Sequence, residues 1–293
     1  MSAIAATRAA ALVLCAALLE GSPDARAAEA GRQHLGPKVP AKVARVVTAA
    51  PSLSEIVLAL DAPDLLVGVT RFDDDPRTAR LPRIGGYNDP EPEAVLALHP
   101  DLVIVQPAPE NRGPVEALAR LGVPVEAFPL QTVGQIEDAL RDIGALIGRA
   151  SRADELVSGI ERARSSARVA AGRRRRVRAL LVFGLEPLVV AGPAGFAGEL
   201  LEDVGGINAA AGAARPFVRL SAEAALAAAP EVVVLCGIEP PAGRQPIRGL
   251  AARVATLRST ALLHPGPRIP EALGDLAVAL HPPDQTRTAP RSQ

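Results

Sequence analysis

Tryptophan is absent from this 293-residue chain, and Phe72, Tyr87, Phe128, Phe183, Phe196 and Phe217 are its only aromatic side chains. A binding site that needs flat apolar walls must draw on those six. Net charge is absent as well: 32 basic side chains balance 32 acidic ones, which removes the electrostatic case for a nucleic-acid binder. Cys15 and Cys236 are too few for a disulfide framework. The four histidines, His34, His99, His264 and His281, are scattered without an HExxH or CxxC spacing, so no metal site is expected. Lys38 and Lys42 are the only lysines, a bias that reads as genome composition rather than function.

Apolar residues are plentiful at 48%, which excludes a largely disordered protein. The length allows one large domain or two of ordinary size. Residues 1–27 read as a secretory signal. Arg8 supplies the positive start, Ala9 to Leu19 a short apolar run, and Ala25-Arg26-Ala27 a small-x-small cleavage site. Leu12-Val13-Leu14-Cys15 resembles a lipoprotein box only in part, because Leu14 stands where a small residue is wanted, so a lipid anchor is not the expectation. Cleavage after Ala27 leaves Cys236 as a lone small hydrophobe in a strand. No later run reaches the ~20 apolar residues of a membrane span. Residues 28–41 read as a polar linker, and 282–293 as a frayed tail.

From Val43 onward, short β-branched runs alternate with helical patterns. Strands are predicted at 45–49, 65–70, 101–106 and 123–128. Helices are predicted from Ser52 through Leu60 and over 90–98, 115–121 and 133–147, the first opened by a Ser52-x-x-Glu55 capping box. That order implies parallel pairing in a three-layer α/β arrangement. The stretch 153–171 is periodic, strand-free and charged on one face, and it stops at Gly172 before Arg173 to Arg176. Those arginines suit a solvated helix end beside the negative pole of the dipole. The α/β pattern then restarts, with strands at 178–183, 189–191 and 231–236. Helices follow at 195–204, 222–228, 247–255 and 269–280.

One segment occurs twice. Glu93-Ala-Val-Leu-Ala-Leu-His-Pro-Asp-Leu-Val-Ile-Val matches Glu223-Ala-Ala-Leu-Ala-Ala-Ala-Pro-Glu-Val-Val-Val-Leu. Each is a short helix broken by proline and followed by a strand, and each opens on a glutamate favoured by the helix dipole. Two lobes of one architecture follow, with Glu93 and Glu223 in equivalent places.

At these residues the chain resembles the periplasmic substrate-binding proteins of cobalamin, haem and ferric-siderophore ABC importers, and most of all the cobalamin-binding branch. The resemblance is carried by Arg45-Val-Val-Thr-Ala-Ala-Pro-Ser-Leu-Ser-Glu55 and Val67-Gly-Val-Thr-Arg-Phe-Asp-Asp-Asp-Pro76. Leu81-Pro-Arg-Ile-Gly-Gly-Tyr-Asn-Asp-Pro90, Val204-Gly-Gly-Ile-Asn208 and Leu220-Ser-Ala-Glu223 extend it. It implies two three-layer α/β lobes, 42–150 and 173–281, joined by one long helix at 151–172, with a ligand cleft between them. It implies a periplasmic carrier that is not an enzyme, has no intrinsic cofactor, acts as a monomer and delivers its ligand to importer membrane subunits.

The same resemblance puts Phe72, Tyr87 and Phe217 at ligand-facing positions, with Pro51 and Ser52 at the cleft edge beyond the first strand. A corrinoid has extensive apolar surface and suits such walls. Cobalamin-binding members often carry tryptophan where Tyr87 and Phe217 stand. Haem is the alternative suggested by Gly86-Tyr87, although Asp89 stands where arginine is usual. A ferric siderophore would call on Arg71, Arg83, Arg215 and Arg219. His264, in Leu-His-Pro-Gly, is either a loop hydrogen-bonder or an imidazole reaching the metal of the ligand. Glu93 and Glu223 are implied to pair with arginines of the importer, one per membrane subunit. No G-x-S-x-G elbow or Gly-rich phosphate loop argues for catalysis, and Asp73-Asp74-Asp75 reads as a loop rather than a metal site.

Overall fold

The computed structural model describes residues 31–210, 215–239 and 245–282. The signal segment with Cys15, and all of the tail beyond Pro282, lie outside those residues. The first sheet is built from β1 (Gln33–Leu35), β2 (Val46–Thr48), β3 (Leu66–Gly68), β4 (Leu102–Val105) and β5 (Val125–Ala127), in the order β1-β5-β4-β2-β3. Strands β2 to β5 pair in parallel, as the strand–helix alternation requires, while β1 runs antiparallel to β5. Strand β1 corrects the expectation of an irregular linker over 28–41. Gln33, His34 and Leu35 are too few to carry a periodicity, and the strand is fastened instead by side chains. The buried Glu126 carboxylate accepts from Arg32 Nε at 2.8 Å and lies 2.8 Å from His34 Nδ1.

Helices α1 (Pro51–Ala59), α2 (Pro92–Leu96), α3 (Arg112–Arg120) and α4 (Val133–Leu146) flank this sheet. The capping box expected at Ser52 and Glu55 does not form. Pro51 occupies the first turn with Ala50 as the N-cap, which moves Ser52 inside the helix and leaves Glu55 free to point elsewhere. The capping box lies at α4, where Thr132 and Gln135 satisfy each other's backbone N–H groups.

Helix α5 (Ala150–Ala171) spans 22 residues, about 33 Å at the usual rise, and leads into the second lobe. There β6 (Val177–Leu185), β7 (Leu188–Ala191), α6 (Phe196–Asp203), β8 (Gly206–Asn208), β9 (Phe217–Arg219), α7 (Ala222–Ala227), β10 (Val232–Cys236), β11 (Arg253–Leu257) and α8 (Ile269–Leu280) follow in turn. The sheet order is β11-β10-β6-β7-β9, with β8 also pairing β6. Strands β7 and β9 are antiparallel, so this sheet is mixed where the first is nearly all parallel. The helix expected over 247–255 is not formed. Gly249 takes φ +81° there, which interrupts any helix, and Arg253 to Leu257 instead pair in parallel with β10.

Alternation along the strands sorts the core into layers. Leu102 and Ile104 of β4 join Leu181 and Phe183 of β6 and Val234 of β10 in one apolar cluster shared by both lobes. Their neighbours Val103 and Val105 face a cluster on the outer side of the first sheet, and Leu180, Val182 and Val233 one on the outer side of the second. Both faces of each sheet are therefore buried, which is why its central strands read as continuous apolar runs. The inner layer carries α1, α4, α5, α6 and α8; α2, with Val95, and α7, with Ala225, sit in the two outer layers. Cys236 is buried in β10, where its thiol donates to the Val234 carbonyl at 3.7 Å.

Candidate functional site

Phe72 follows an extended continuation of β3 and is half-buried. Its loop is fixed from beneath by Asp73, whose carboxylate accepts from the Thr70 amide at 2.9 Å and the Thr70 hydroxyl at 2.5 Å. The Thr70 hydroxyl oxygen in turn accepts the Phe72 amide at 3.3 Å. Burial pushes the Asp73 carboxyl above its ordinary range, against hydrogen bonds from Ser54 and Thr70 that pull the other way. Asp75 caps the next short turn through the Arg77 amide, and Asp74 is exposed, so the three aspartates diverge. Among the described residues no cluster of histidine, cysteine and carboxylate could hold a metal ion.

The loop bearing Tyr87 lies beside the Phe72 loop. The Arg71 amide donates to the Gly85 carbonyl at 2.8 Å, the Arg71 side chain pairs with Asp89 at 2.8 Å, and its guanidinium lies 4.9 Å from the Phe72 ring centre. Gly85 is required here: its φ is +94°, and a Cβ would stand 2.5 Å from the Asp89 carbonyl oxygen. Tyr87 itself is only 4% exposed, and its hydroxyl donates to the Pro107 carbonyl at 3.4 Å. Asn111, buried at the start of α3, holds this loop by donating to the carbonyls of Tyr87 at 3.0 Å and Gln106 at 2.9 Å.

In the second lobe Phe217 opens β9, half-buried, and packs edge-to-face on Phe183 at 5.1 Å. Pro51 and Ser52 are buried at the start of α1, beyond the carboxyl end of β2. A Cβ on Gly266 would lie 3.6 Å from the Ser52 carbonyl oxygen, so the loop carrying His264 comes up against that helix end. His264 Nδ1 is 2.6 Å from Glu55 Oε1, and Arg268 donates to both Glu55 oxygens at 2.9 Å. Burial pushes the Glu55 carboxyl up, but the hydrogen bonds from His264 and Arg268 outweigh it and hold the group below the ordinary carboxylate range.

Pro51, Ser52 and His264 are thus brought to one place, and Phe72 and Tyr87 to another within the first lobe. Sequence reasoning missed Glu55, Arg268, Asn111 and Phe183. Glu55 was assigned to a cap, and the others belong to contacts whose partners are far away in the chain. A groove of about 470 Å³ between α5 and α6 is lined by Arg164, Arg168, Arg176, Glu199, Glu202 and Asp203. Those charges largely satisfy one another, with Arg164 and Arg168 both on the Asp203 carboxylate, and they offer no apolar wall.

Glu93 and Glu223 are both exposed in the first turns of α2 and α7. The Glu223 carboxyl is held below its ordinary range by its own backbone N–H and the Ser221 hydroxyl. The segments behind them match in detail. His99 and Ala229 both take positive φ, 45° and 44°, just before Pro100 and Pro230.

A family model described as periplasmic binding protein matches residues 46–241. The vitamin B12-binding protein of Salmonella typhi is 27% identical over 194 residues, 66% of this chain and 72% of that protein. Among solved structures, the periplasmic vitamin B12 binding protein BtuF of Vibrio cholerae superposes with a TM-score of 0.69 at 24% identity, covering 81% of this chain and 96% of its own. A periplasmic heme binding protein from Pseudomonas aeruginosa gives 0.69 at 29% identity, covering 82% and 93%.

Proposed function

The chain belongs to the periplasmic binding protein family, and from that premise we propose that it captures a corrinoid, cobalamin, and delivers it to an ABC importer. Members of the B12, haem and siderophore type bind small molecules for import and are not enzymes, and the two-lobe fold agrees with that class. Among the described residues no helix is long and apolar enough to cross a membrane. The observation that carries the corrinoid reading is the pair of half-buried phenylalanines, Phe72 and Phe217, one from each lobe, on a chain similar to B12-binding proteins over two thirds of its length. In this reading their rings flank the ligand, Pro51 and Ser52 edge it, and Tyr87 backs the first wall. His264 acts through its bond to Glu55 rather than through the cobalt. The mature protein starts after Ala27, works as a monomer in the periplasm, and has no cofactor of its own.

Haem is the second reading, favoured by Gly86-Tyr87 and by the similarity to a heme binding protein. Against it, the Tyr87 hydroxyl is turned onto the Pro107 carbonyl and the residue is buried, so an axial role requires the loop to rearrange. Titrating the purified protein with cyanocobalamin, haemin and a ferric siderophore in a calorimeter separates the three. Saturable heat with cyanocobalamin alone is the expected result, and binding of haemin or the siderophore in its place overturns it.

Delivery is assigned to Glu93 and Glu223. Each is exposed on an outer-layer helix, one per lobe, so a pseudo-twofold carrier presents two carboxylates to a twofold membrane partner, whose arginines receive them.

A further inference from the structure

Two kinds of polar tie cross between the lobes besides α5. One is anchored on backbone: the Phe196 amide donates to the Gln131 carbonyl at 2.7 Å, and the Val133 amide donates to Glu199 at 3.1 Å. The other is made of side chains alone. Glu55 on α1 of the first lobe receives Arg268 from the second in a two-pronged pair, with His264 on the same carboxylate. Arg268 also donates to the Thr260 hydroxyl at 2.7 Å, which fixes the guanidinium plane. The side chains of Glu55, His264 and Arg268 are 16%, 14% and 31% exposed, so water screens the cluster only in part. A forked arginine–carboxylate pair is directional as well as strong, and it constrains the angle between the elements that carry it. The cluster sits one helical turn from Ser52, at the edge assigned to the ligand.

Building on the cleft reading above, we propose that Glu55, held by Arg268 and His264, is a positioning residue that fixes the spacing of the two lobes and thereby the rate at which a bound ligand leaves. The Phe196–Gln131 bond runs from backbone to backbone and so holds the lobes together whatever the Glu55 cluster does. The side-chain clasp is the adjustable one: removing the Glu55 charge leaves Arg268 with no carboxylate across the lobe boundary and only the looser Glu271 contact, 3.6 Å away on its own helix, so the lobes separate locally to hydrate it.

The test places spin labels on cysteines introduced at Leu121 and Val278, one per lobe and both about 60% exposed (60% and 59%), while the native Cys236 stays buried. In the ligand-free parent a narrow distance distribution is expected. Glu55→Gln preserves the side-chain shape and is expected to broaden or shift that distribution and to speed cyanocobalamin release on the order of tenfold. Arg268→Gln breaks the same pair from the other side and is expected to give the same two changes, so it serves as the test should Glu55→Gln fail to fold. Unchanged distances in both folded variants overturn the proposal, and so do altered distances with an unaltered release rate. A parent that ignores cyanocobalamin refutes the corrinoid reading alone. The distance measurement, and release of haemin if that binds instead, then still decide the clasp.

Discussion

The two lobes agree where they face outward and differ where they face each other. In the first, Asp101 accepts the backbone amides of Ala44 and Arg45 at 2.8 and 2.9 Å, and the Arg45 side chain returns to the carbonyl of Leu98 at 2.7 Å. In the second, Glu231 accepts the amide of Arg178 at 3.1 Å, and the Arg178 side chain returns to the carbonyl of Ala228 at 2.9 Å. The same bracket ties the end of an outer helix to the start of the central strand in each lobe, across a positive-φ residue and a proline. The inner surfaces share no such repeat. Phe72 and Tyr87 stand on loops after β3 in a nearly all-parallel sheet, whereas Phe217 stands on an antiparallel edge strand supported by Phe183. The difference has a functional sense on the proposed reading. A twofold membrane partner asks for two equal contacts, and an asymmetric ligand asks for two unequal walls.

The largest effects should come from the core that the lobes share. Ile104→Ala in β4 and Val234→Ala in β10 remove side chains that are fully buried in one cluster, and Ile104→Ala should cost about 2–5 kcal/mol. Because the cluster is continuous, each variant is expected to lower a single unfolding transition seen by calorimetry. Two separate transitions, only one of them moved, would mean that the lobes fold as independent units.

Next in size are the brackets. Asp101→Ala abandons two backbone amides and should lose about 1–2 kcal/mol in urea unfolding. Glu231→Ala should destabilise as well, and in a salt-dependent way, since its carboxylate also pairs with the exposed Arg175 at 2.6 Å. The Glu231 carboxyl is held down to about 2, so its contribution is present at neutral pH and lost as the pH falls from the ordinary carboxylate range toward that value. Destabilisation by one variant and none by the other would break the equivalence of the brackets.

A smaller effect separates the inner surfaces. The folded state lowers the Glu55 carboxyl, so its stabilisation is complete above the ordinary glutamate value of about 4.3 and disappears as the pH falls through the lowered one. The difference in melting temperature between the parent and Glu55→Gln should therefore shrink on acidification below about pH 4. A difference that grows there contradicts the clasp.

The outer repeat was legible in the sequence because local rules carry it. Helix, proline and β-branched strand follow one another within a dozen residues, and Glu93 and Glu223 fall into register by inspection. The parallel central strands and the long helix α5 were legible for the same reason, through runs of apolar residues and a 3.6-residue period. The inner surface was not. Glu55 meets Arg268 across 213 positions of chain, and no local spacing announces such a pair. Strands β1, β8 and β9 are three residues long and owe their existence to neighbours rather than to propensity. The mistaken helix over 247–255 has the same origin, since Gly249 and the open edge of β10 decide that segment together.

The claim that repeated residues serve the partner and unlike residues serve the ligand is tested most directly by calorimetry with cyanocobalamin on two double variants, compared side by side. Glu93→Ala/Glu223→Ala is expected to keep the parent Kd within about twofold while slowing uptake through the cognate importer. Phe72→Ala/Phe217→Ala should weaken binding by at least about tenfold, since each buried ring contact is worth about 1 kcal/mol or more. Weakened binding in the glutamate pair with intact binding in the phenylalanine pair would contradict the account.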